Sequence, residues 1–358
     1  MKNVLITGAA GFIGANFAQY VLERRKDLRV VGLDLLTYAG NEENLALCRA
    51  NPRFVFVHGS ISDPLLLDRV MAENAIDTIV NFAAETHVDR SILSPIQFLE
   101  TNMVGTGILL EAARHAWKGK GVGELRFHQI STDEVFGSLA SGEAPFSERT
   151  KYQPNSPYSA SKAGSDHLVR AYAHTYGLPI SISNCTNNYG PYQFPEKLIP
   201  LMILNCLRGK PLPVYGDGRQ VRDWLYVQDH CEAILLILEK GRAGETYLIG
   251  GNNQPTNLEI IQTITGIMDE LRPESPYKPH MQLVQHVADR PGHDRRYAMD
   301  ISHIKEELGW IPKVNLSAGL RQTVEWYLSH LEWIEHLTRK HEFTKWTQAN
   351  YGNRGEAK

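Results

Sequence analysis

Short, apolar, β-branched runs alternate with longer amphipathic segments through the first half of the chain, and this alternation limits the fold more than any other feature. It is typical of βαβ units, in which parallel strands form one sheet with helices on both faces. Several runs are almost uninterruptedly apolar, as expected of strands buried on both sides. The predicted strands are residues 3–7, 29–34, 54–58, 78–82, 126–131 and 180–184, and the predicted helices are 12–24, 63–73, 96–117 and 158–176.

The alternation stops after residue 184, where proline, asparagine and tyrosine crowd into residues 187–200, which we interpret as a long loop. Further helices are predicted at 197–207, 228–240, 258–271 and 316–337, with a loop at 272–279. We therefore predict an α/β fold with a doubly wound parallel sheet (Rossmann) over residues 1–186, to which some later segments return. Residues 187–330 mainly form a smaller α/β substrate-binding domain, and residues 331–358 form a C-terminal helix or tail.

Charge and composition narrow the possible partners. The net charge of −3 and pI near 6.5 predict no basic surface for nucleic acid or anionic membranes. No apolar run approaches the roughly 20 residues that span a bilayer, and glycines inside the first apolar run argue against a signal peptide. The four cysteines form no CxxC pair, so we predict reduced thiols in a cytoplasmic protein and no metal site.

A glycine-rich turn stands where the first predicted strand ends and the first helix begins, with glycines at Gly8, Gly11 and Gly14. Such a turn lets the backbone approach a pyrophosphate at a helix N-terminus, and its GxxGxxG spacing resembles the short-chain dehydrogenase/reductase superfamily. Asp34 ends the second strand twenty residues beyond Gly14, where its carboxylate can bind ribose hydroxyls and repel the 2′-phosphate of NADP. NAD is the favoured cofactor. A purely structural glycine turn and a turn aspartate are the alternatives.

Two further groups carry candidate chemistry. Tyr158 and Lys162 are four residues apart, hence on one helix face, where the ammonium is expected to favour the phenolate as a base. Asp133 and Glu134 follow Thr132 at the end of a buried strand. Two carboxyl groups in one pocket tend to separate in pKa, so that one serves as acid and the other as base. A solvated acidic turn is the alternative.

Several longer blocks together resemble the dTDP-glucose 4,6-dehydratases, members of the extended short-chain dehydrogenase/reductase group. The resemblance runs from the glycine turn to about Tyr327. The blocks are LTYAGN (36–41), AAETHVDRS (83–91), STDEVFG (131–137), SPYSASKA (156–163), NNYGPYQFPEKLIP (187–200), RDWLYV (222–227) and DRPGHDRRYA (289–298).

The resemblance implies a reaction in three steps. Tyr158, assisted by Lys162 and Thr132, removes the C4 hydroxyl proton while hydride passes to NAD. Glu134 then removes the C5 hydrogen and Asp133 protonates the departing C6 hydroxyl. Hydride returns to C6 and gives a 4-keto-6-deoxy sugar. Because the cofactor must stay bound throughout, a lid over the site is expected.

The resemblance also implies two binding sites and a homodimer, formed through helices 96–117 and 158–176. Ser60 and Leu35 stand where the family usually has an acid and a lysine, which weakens the adenosine end of the cofactor site. His87 is expected to support the site rather than to react. Cofactor-binding residues are Gly8, Gly11, Phe12, Ile13, Gly14, Asp34, Leu36, Thr37, Ser60, Ile61, Ala83, Ala84, Thr101, Tyr158, Lys162 and Asn188. Substrate-binding residues are Thr86, Asn187, Lys197, Leu198, Pro213, Val214, Tyr215, Arg222, Asn257, Arg290 and His293.

Other readings stay open at this point. Arg222 and Arg290 can instead form structural salt bridges, and Val214 and Tyr215 can be core residues. The enzyme can be a 4-epimerase, or a dehydratase of UDP-, CDP- or GDP-sugars, although an epimerase has no use for two consecutive acids. An alternative function of a different class is that of a non-catalytic NAD-sensing protein. Such proteins usually lose the tyrosine or the lysine.

Overall fold

A seven-stranded parallel sheet forms the centre of the computed structural model, which describes residues 1–339. Its strand order is β10-β6-β5-β4-β1-β2-β3, and this confirms the predicted doubly wound α/β fold. Two-stranded parallel sheets pair β8 with β11 and β7 with β9. The strands are β1 (Asn3–Thr7), β2 (Arg29–Asp34), β3 (Phe54–His58), β4 (Thr78–Asn81), β5 (Arg126–Thr132), β6 (Ile180–Cys185), β7 (Asn187–Tyr189), β8 (Leu212–Tyr215), β9 (Trp224–Tyr226), β10 (Thr246–Ile249) and β11 (Val284–Val287).

Helices cover both faces of the large sheet and make up most of the second half. The helices are α1 (Phe12–Arg24), α2 (Ala46–Arg49), α3 (Pro64–Glu73), α4 (Val88–Leu93), α5 (Pro95–Leu99), α6 (Thr106–Ala116), α7 (Pro157–Tyr176), α8 (Leu198–Arg208), α9 (Val227–Lys240), α10 (Asn257–Leu271), α11 (Ser302–Leu308), α12 (Leu316–Ser329) and α13 (Leu331–Arg339). Short 3₁₀ turns occur at Glu42–Leu45, Val122–Glu124, Asp133–Phe136 and His280–Leu283. Within residues 1–339, every helix is too short or too polar to cross a bilayer.

The predicted helix 96–117 is observed as consecutive helical segments, which are α5, a π-helical segment at Glu100–Gly105, and α6. The buried Asn102 lies in the π-helical segment. Its amide exchanges hydrogen bonds with the backbone of Glu85 at 2.9 and 3.0 Å and donates to the Ser161 hydroxyl at 2.8 Å. The wider turn places this side chain against the strand-end loop, as π-bulges often do near functional sites.

Two other predicted segments also differ. The predicted helix 316–337 is two helices, α12 and α13, because the chain leaves helical geometry at His330. The predicted loop 187–200 contains the three-residue strand β7, which was not predicted, and the start of α8, which corresponds to the predicted helix 197–207.

Later segments return to the sheet formed by the first half. β10 extends the sheet by pairing with β6, and α9 packs against α1 on one face, while α3, α6 and α7 cover the other. A separate apolar core joins β8, α8, α10, α12 and α13. The domain boundary between residues 186 and 187 stays a prediction, and residues 340–358 of the predicted tail lie outside the described residues. Residues at the carboxyl ends of β1, β2, β4, β5 and β6 line one cavity, which places the ligand cleft at this edge of the sheet.

Candidate active site

The glycine-rich turn after β1 fits a dinucleotide pyrophosphate. Gly8 has φ +64°, and a Cβ there would lie 2.8 Å from the backbone nitrogen of Ala83, so only glycine fits. Gly11 is the N-cap of α1, where no side chain caps the helix, and the first turn contains no acid. The first N–H groups of α1 therefore face the cleft with the positive end of the helix dipole, as anion binding requires.

Asp34 both shapes this turn and lines the cleft. Its two carboxylate oxygens accept hydrogen bonds from the backbone nitrogens of Ala10, at 2.9 Å, and Leu36, at 2.7 Å. Burial raises the pKa of the Asp34 carboxyl, and these backbone donors oppose the rise. The carboxylate is thus held in place at the edge where a ribose would lie, and the structural and cofactor-binding readings of Asp34 are compatible.

All predicted cofactor residues except Leu36 line this first cavity. The side chain of Leu36 packs instead against the apolar core beside α1, and the half-exposed Leu35 lines the cavity. The predicted residues that line it are Gly8, Gly11, Phe12, Ile13, Gly14, Asp34, Thr37, Ser60, Ile61, Ala83, Ala84, Thr101, Tyr158, Lys162 and Asn188.

The two consecutive acids lie inside the cleft, so the alternative of a solvated acidic turn is wrong. Thr132 ends β5, and its hydroxyl accepts a hydrogen bond from the backbone nitrogen of Glu134 at 3.3 Å, which starts the 3₁₀ turn. Asp133 is 2% exposed, and no atom of residues 1–339 hydrogen-bonds its Oδ2. Glu134 is half-buried and lines both the first cavity and a second one next to it.

The environments of these two carboxyl groups differ. Burial, and next to it the charge of Glu134, raise the pKa of Asp133 well above its ordinary value. Burial also raises the pKa of Glu134, but the cations of Arg290, Lys197 and Arg222 oppose that rise. Burial therefore favours the protonated form of Asp133, whereas three nearby cations favour the ionised form of Glu134.

Tyr158 and Lys162 line the same cavity, one helical turn apart on α7. The Lys162 ammonium donates to the backbone carbonyl of Ile130 at 2.7 Å, and burial lowers its pKa. Burial and the charge of Glu134 raise the pKa of Tyr158 well above 10, while a hydrogen bond with the Thr132 side chain opposes the rise. Burial is the largest influence on this pKa, and the expectation that the Lys162 ammonium favours the phenolate stays a prediction.

The second cavity is lined by every predicted substrate residue and adjoins the catalytic residues through Glu134. The predicted residues that line it are Thr86, Asn187, Lys197, Leu198, Pro213, Val214, Tyr215, Arg222, Asn257, Arg290 and His293. Three of them are cations in a largely buried setting, which suits a diphosphate. The apolar side chains of Met202, Trp224 and Ile261 also line the second cavity and suit a nucleobase.

The two arginines differ in their partners. Arg222 is 5% exposed and donates to the backbone carbonyls of Val221, at 2.8 Å, and Asp294, at 2.9 Å. Within residues 1–339 no carboxylate forms a salt bridge with it. Arg290 donates to Asp89 at 3.3 Å, and its buried Nε has no hydrogen-bond partner in the described part of the chain. Both guanidinium groups therefore retain capacity for phosphate oxygens.

The sequence and structure were compared with known proteins. The family model for GDP-mannose 4,6 dehydratase matches residues 5–323. The dTDP-glucose 4,6-dehydratase of Xanthomonas campestris pv. campestris is 55% identical over 94% of this chain and 95% of the relative. The crystal structure of the dTDP-glucose 4,6-dehydratase DesIV from Streptomyces venezuelae, with NAD and TYD bound, is 48% identical, has a TM-score of 0.85, and covers 94% of this chain and 99% of that chain.

This chain belongs to the dTDP-glucose 4,6-dehydratase family. The UDP-glucose 4-epimerase of Thermotoga maritima, solved with UDP-glucose, is 30% identical with a TM-score of 0.81 over 92% of this chain and 99% of that one. The fold alone therefore does not separate dehydratases from epimerases, and the carboxyl groups of the site must do so.

Several site residues of this dehydratase family member were not predicted from the sequence. Tyr38, Phe194 and Glu196 line the first cavity, and Asp89 lines the second. All four lie inside blocks that carried the family resemblance, so the blocks were the available signal. His87 is buried and lines the second cavity, and burial lowers its pKa well below 6.5. A neutral imidazole in that position fits the expected supporting role.

Proposed function

We propose that this protein is a dTDP-glucose 4,6-dehydratase, which converts dTDP-glucose to dTDP-4-keto-6-deoxyglucose. The reaction oxidises C4, eliminates water across C5 and C6, and then returns hydride to C6 and a proton to C5. The observation that carries this function is the placement of Asp133 and Glu134 in one cleft with Tyr158 and Lys162. Elimination needs an acid and a base in addition to the redox pair, and the cleft contains both.

The elimination roles follow from the environments of the two acids. Glu134 is the base for the C5 hydrogen, because three cations support its carboxylate. Asp133 is the acid for the C6 hydroxyl, because burial and Glu134 keep it protonated and its Oδ2 has no hydrogen-bond partner among residues 1–339. One carboxyl group thus acts as the base and the other as the acid in the elimination of water.

The redox step uses Tyr158 as the base for the C4 hydroxyl, with Thr132 hydrogen-bonded to it and Lys162 one turn away. When bound, NAD supplies the hydride acceptor and donor together with a positive charge that favours the phenolate. The uncapped N-terminus of α1 and the fixed Asp34 carboxylate hold the pyrophosphate and the adenosine ribose.

The second cavity holds the nucleotide of the substrate. Arg222, Arg290 and Lys197 bind the diphosphate, and the segment Pro213, Val214, Tyr215 packs against the thymine. Lys197 also donates to the Thr86 hydroxyl, at 3.3 Å, at the junction of the two cavities, which places both residues near the sugar.

A substrate panel tests the proposed function. The purified protein is assayed with dTDP-, UDP-, CDP- and GDP-glucose, and the product is identified by mass and by the alkali-induced absorbance of a 4-keto sugar. Loss of water from dTDP-glucose is expected, at a higher kcat/KM than with the other nucleotides. A product that retains its C6 hydroxyl means epimerisation, and tightly bound NAD without turnover means a sensor.

We also propose a homodimer, supported by a row of apolar side chains along residues 92–104. Leu93, Ile96 and Val104 are 67%, 62% and 56% exposed, which is unusual for so many large apolar side chains in one stretch. Light scattering after gel filtration is expected to give a dimer. Replacing Leu93 and Ile96 with aspartate should give monomers, whereas the control Leu65→Asp, at an 81% exposed leucine on α3, should not.

We place the protein in the cytoplasm, since all four cysteines are buried and unpaired within the described residues, as is usual in a reducing compartment. Cell fractionation that recovers the protein outside the cytosolic fraction would contradict this location.

A further inference from the structure

Two neighbouring charged side chains, Asp89 and Arg90, lie in the turn at residues 87–90, where α4 begins, and have different partners. Asp89 accepts hydrogen bonds from the Tyr215 hydroxyl, at 3.0 Å, and from Arg290, at 3.3 Å, both in the second cavity. Arg90 instead donates from Nε and one terminal nitrogen to the same oxygen of Glu196, at 3.0 and 2.9 Å. Glu196 lines both cavities.

Arg90 joins two loops that are far apart in the sequence. Its guanidinium carbon lies 3.8 Å from the centroid of the Tyr38 ring, so the cation stacks on that ring. The Tyr38 side chain also hydrogen-bonds Glu196, and its ring meets Phe194 edge to face at 5.7 Å. The Glu196 side chain is 2% exposed and that of Arg90 is 20% exposed, so the ion pair is largely shielded from water.

The two joined loops form one wall of the cofactor cavity. Residues 37–40 line it from one side, and Gln193, Phe194 and Glu196 line it from the other. Each loop contains a non-glycine residue in the left-handed region, Leu36 at φ +56° and Tyr192 at φ +68°. Such conformations are unfavourable for residues with a Cβ, so surrounding contacts must hold the loops in this form.

We propose that Arg90 is a positioning residue that retains the dinucleotide, because its ion pair with Glu196 and its stacking on Tyr38 hold these two loops against the cofactor cavity. The need for retention rests on the proposed function, in which one NAD molecule is reduced and reoxidised within a single turnover. The contacts of Arg90 are independent of that function. Asp89, one residue earlier, serves the nucleotide cavity instead.

The test measures dinucleotide release directly. Wild-type protein and the Arg90→Gln and Arg90→Lys variants are loaded with NADH, and the loss of its fluorescence is followed after a chase with excess NAD. Arg90→Gln is expected to release NADH about tenfold faster, which corresponds to about 1.4 kcal/mol. Arg90→Lys should be intermediate, because lysine keeps the charge but loses the planar fork and much of the stacking.

Two matched variants separate this role from general effects of arginine loss. Arg49 stacks over Phe56 at 5.0 Å and pairs with Glu42 at 2.6 Å, but it is exposed and lines neither cavity, so Arg49→Gln should release NADH at the wild-type rate. Asp89→Asn should raise the KM for dTDP-glucose while leaving NADH release unchanged. Circular dichroism checks folding, and if Arg90→Gln does not fold, Arg90→Lys decides the question.

Two results would overturn the proposal: wild-type release rates in the folded Arg90 variants, or equal acceleration by Asp89→Asn and Arg90→Gln. Faster release from Arg90→Gln in a protein that does not dehydrate dTDP-glucose would overturn the proposed function and leave the role of Arg90 intact. Full dehydratase activity in the wild type, with unchanged NADH release from the Arg90 variants, would support the proposed function and overturn the role of Arg90.

Discussion

Glu134 lines both cavities and is the proposed base for elimination, so its replacement with glutamine is expected to separate oxidation from elimination. The change keeps the size of the side chain but removes the base for the C5 hydrogen. It also removes a negative charge that, after burial, raises the pKa of Tyr158 and of Asp133. We therefore expect Glu134→Gln to lose elimination while the C4 oxidation step survives.

The size of the loss follows from the role of a general base. Positioned acid–base groups contribute about 10²- to 10⁴-fold to a rate, which corresponds to about 3 to 5 kcal/mol of activation free energy. Loss of the Glu134 charge lowers the pKa of Tyr158, so the phenolate forms at lower pH than in the wild type. The pH at which C4 oxidation reaches half its maximum rate should therefore fall in the variant.

Single-turnover kinetics with dTDP-glucose measure both steps. Reduced NAD is followed by its absorbance, and dehydrated sugar is followed by mass after quenching. The variant should accumulate reduced NAD and form dehydrated product about 10²- to 10⁴-fold more slowly. Glu148→Gln is the matched control, because Glu148 is also partly buried with a pKa raised by burial, but it lines neither cavity. Elimination by Glu134→Gln at the rate of this control would refute the role of Glu134.

Three further predictions test the nucleotide site, the cofactor site and the pH dependence of the stability of the protein. Arg222→Gln should weaken dTDP binding by about 1.5 to 3 kcal/mol, measured by calorimetry, because a charge-assisted bond to phosphate is lost; unchanged affinity would assign Arg222 a structural role. Asp34→Asn should bind NAD more weakly and discriminate less against NADP, and an unchanged NAD-to-NADP preference in kcat/KM would contradict the ribose role. Burial raises the pKa of Asp223 from 3.8 to about 7, so its protonated form stabilises the native state below pH 3.8 and this contribution is lost as the pH rises to about 7. Between pH 3.8 and 7, the free energy of unfolding of the wild type should fall by up to about 1.4 kcal/mol per pH unit more than that of Asp223→Asn. The free energies are measured by chemical denaturation at each pH, and the same pH dependence in both proteins would contradict this prediction.

Features that are local in the chain could be predicted from the sequence. The glycine turn, Asp34, the Asp133–Glu134 pair and the Tyr158–Lys162 spacing each lie at a strand end or on one helix face, so periodicity and spacing locate them. The first six strands were found within one residue at each end for the same reason.

Features that depend on distant contacts could not be predicted. Arg90 and Glu196 are 106 residues apart, and Asp89 and Arg290 are 201 residues apart, so no local pattern relates them. β10 joins the sheet only because its partner β6 leaves an edge free, which a four-residue apolar run does not reveal. The pKa of Tyr158 also depends on burial that the YxxxK spacing does not encode.

One peptide bond separates the proposed acid, Asp133, from the proposed base, Glu134, and the two side chains end in different environments. Asp133 stays in a buried environment at the end of β5, where desolvation and the charge of Glu134 raise its pKa more than Arg222 and the Thr132 hydroxyl lower it. Glu134 reaches the junction of the cavities, where Arg290, Lys197 and Arg222 from the second half of the chain support its negative charge. The same three cations line the proposed diphosphate site. In the proposed mechanism, elimination therefore depends on both halves of the protein, because the first half places the Glu134 carboxyl group and the second half supplies the cations that favour its ionised form.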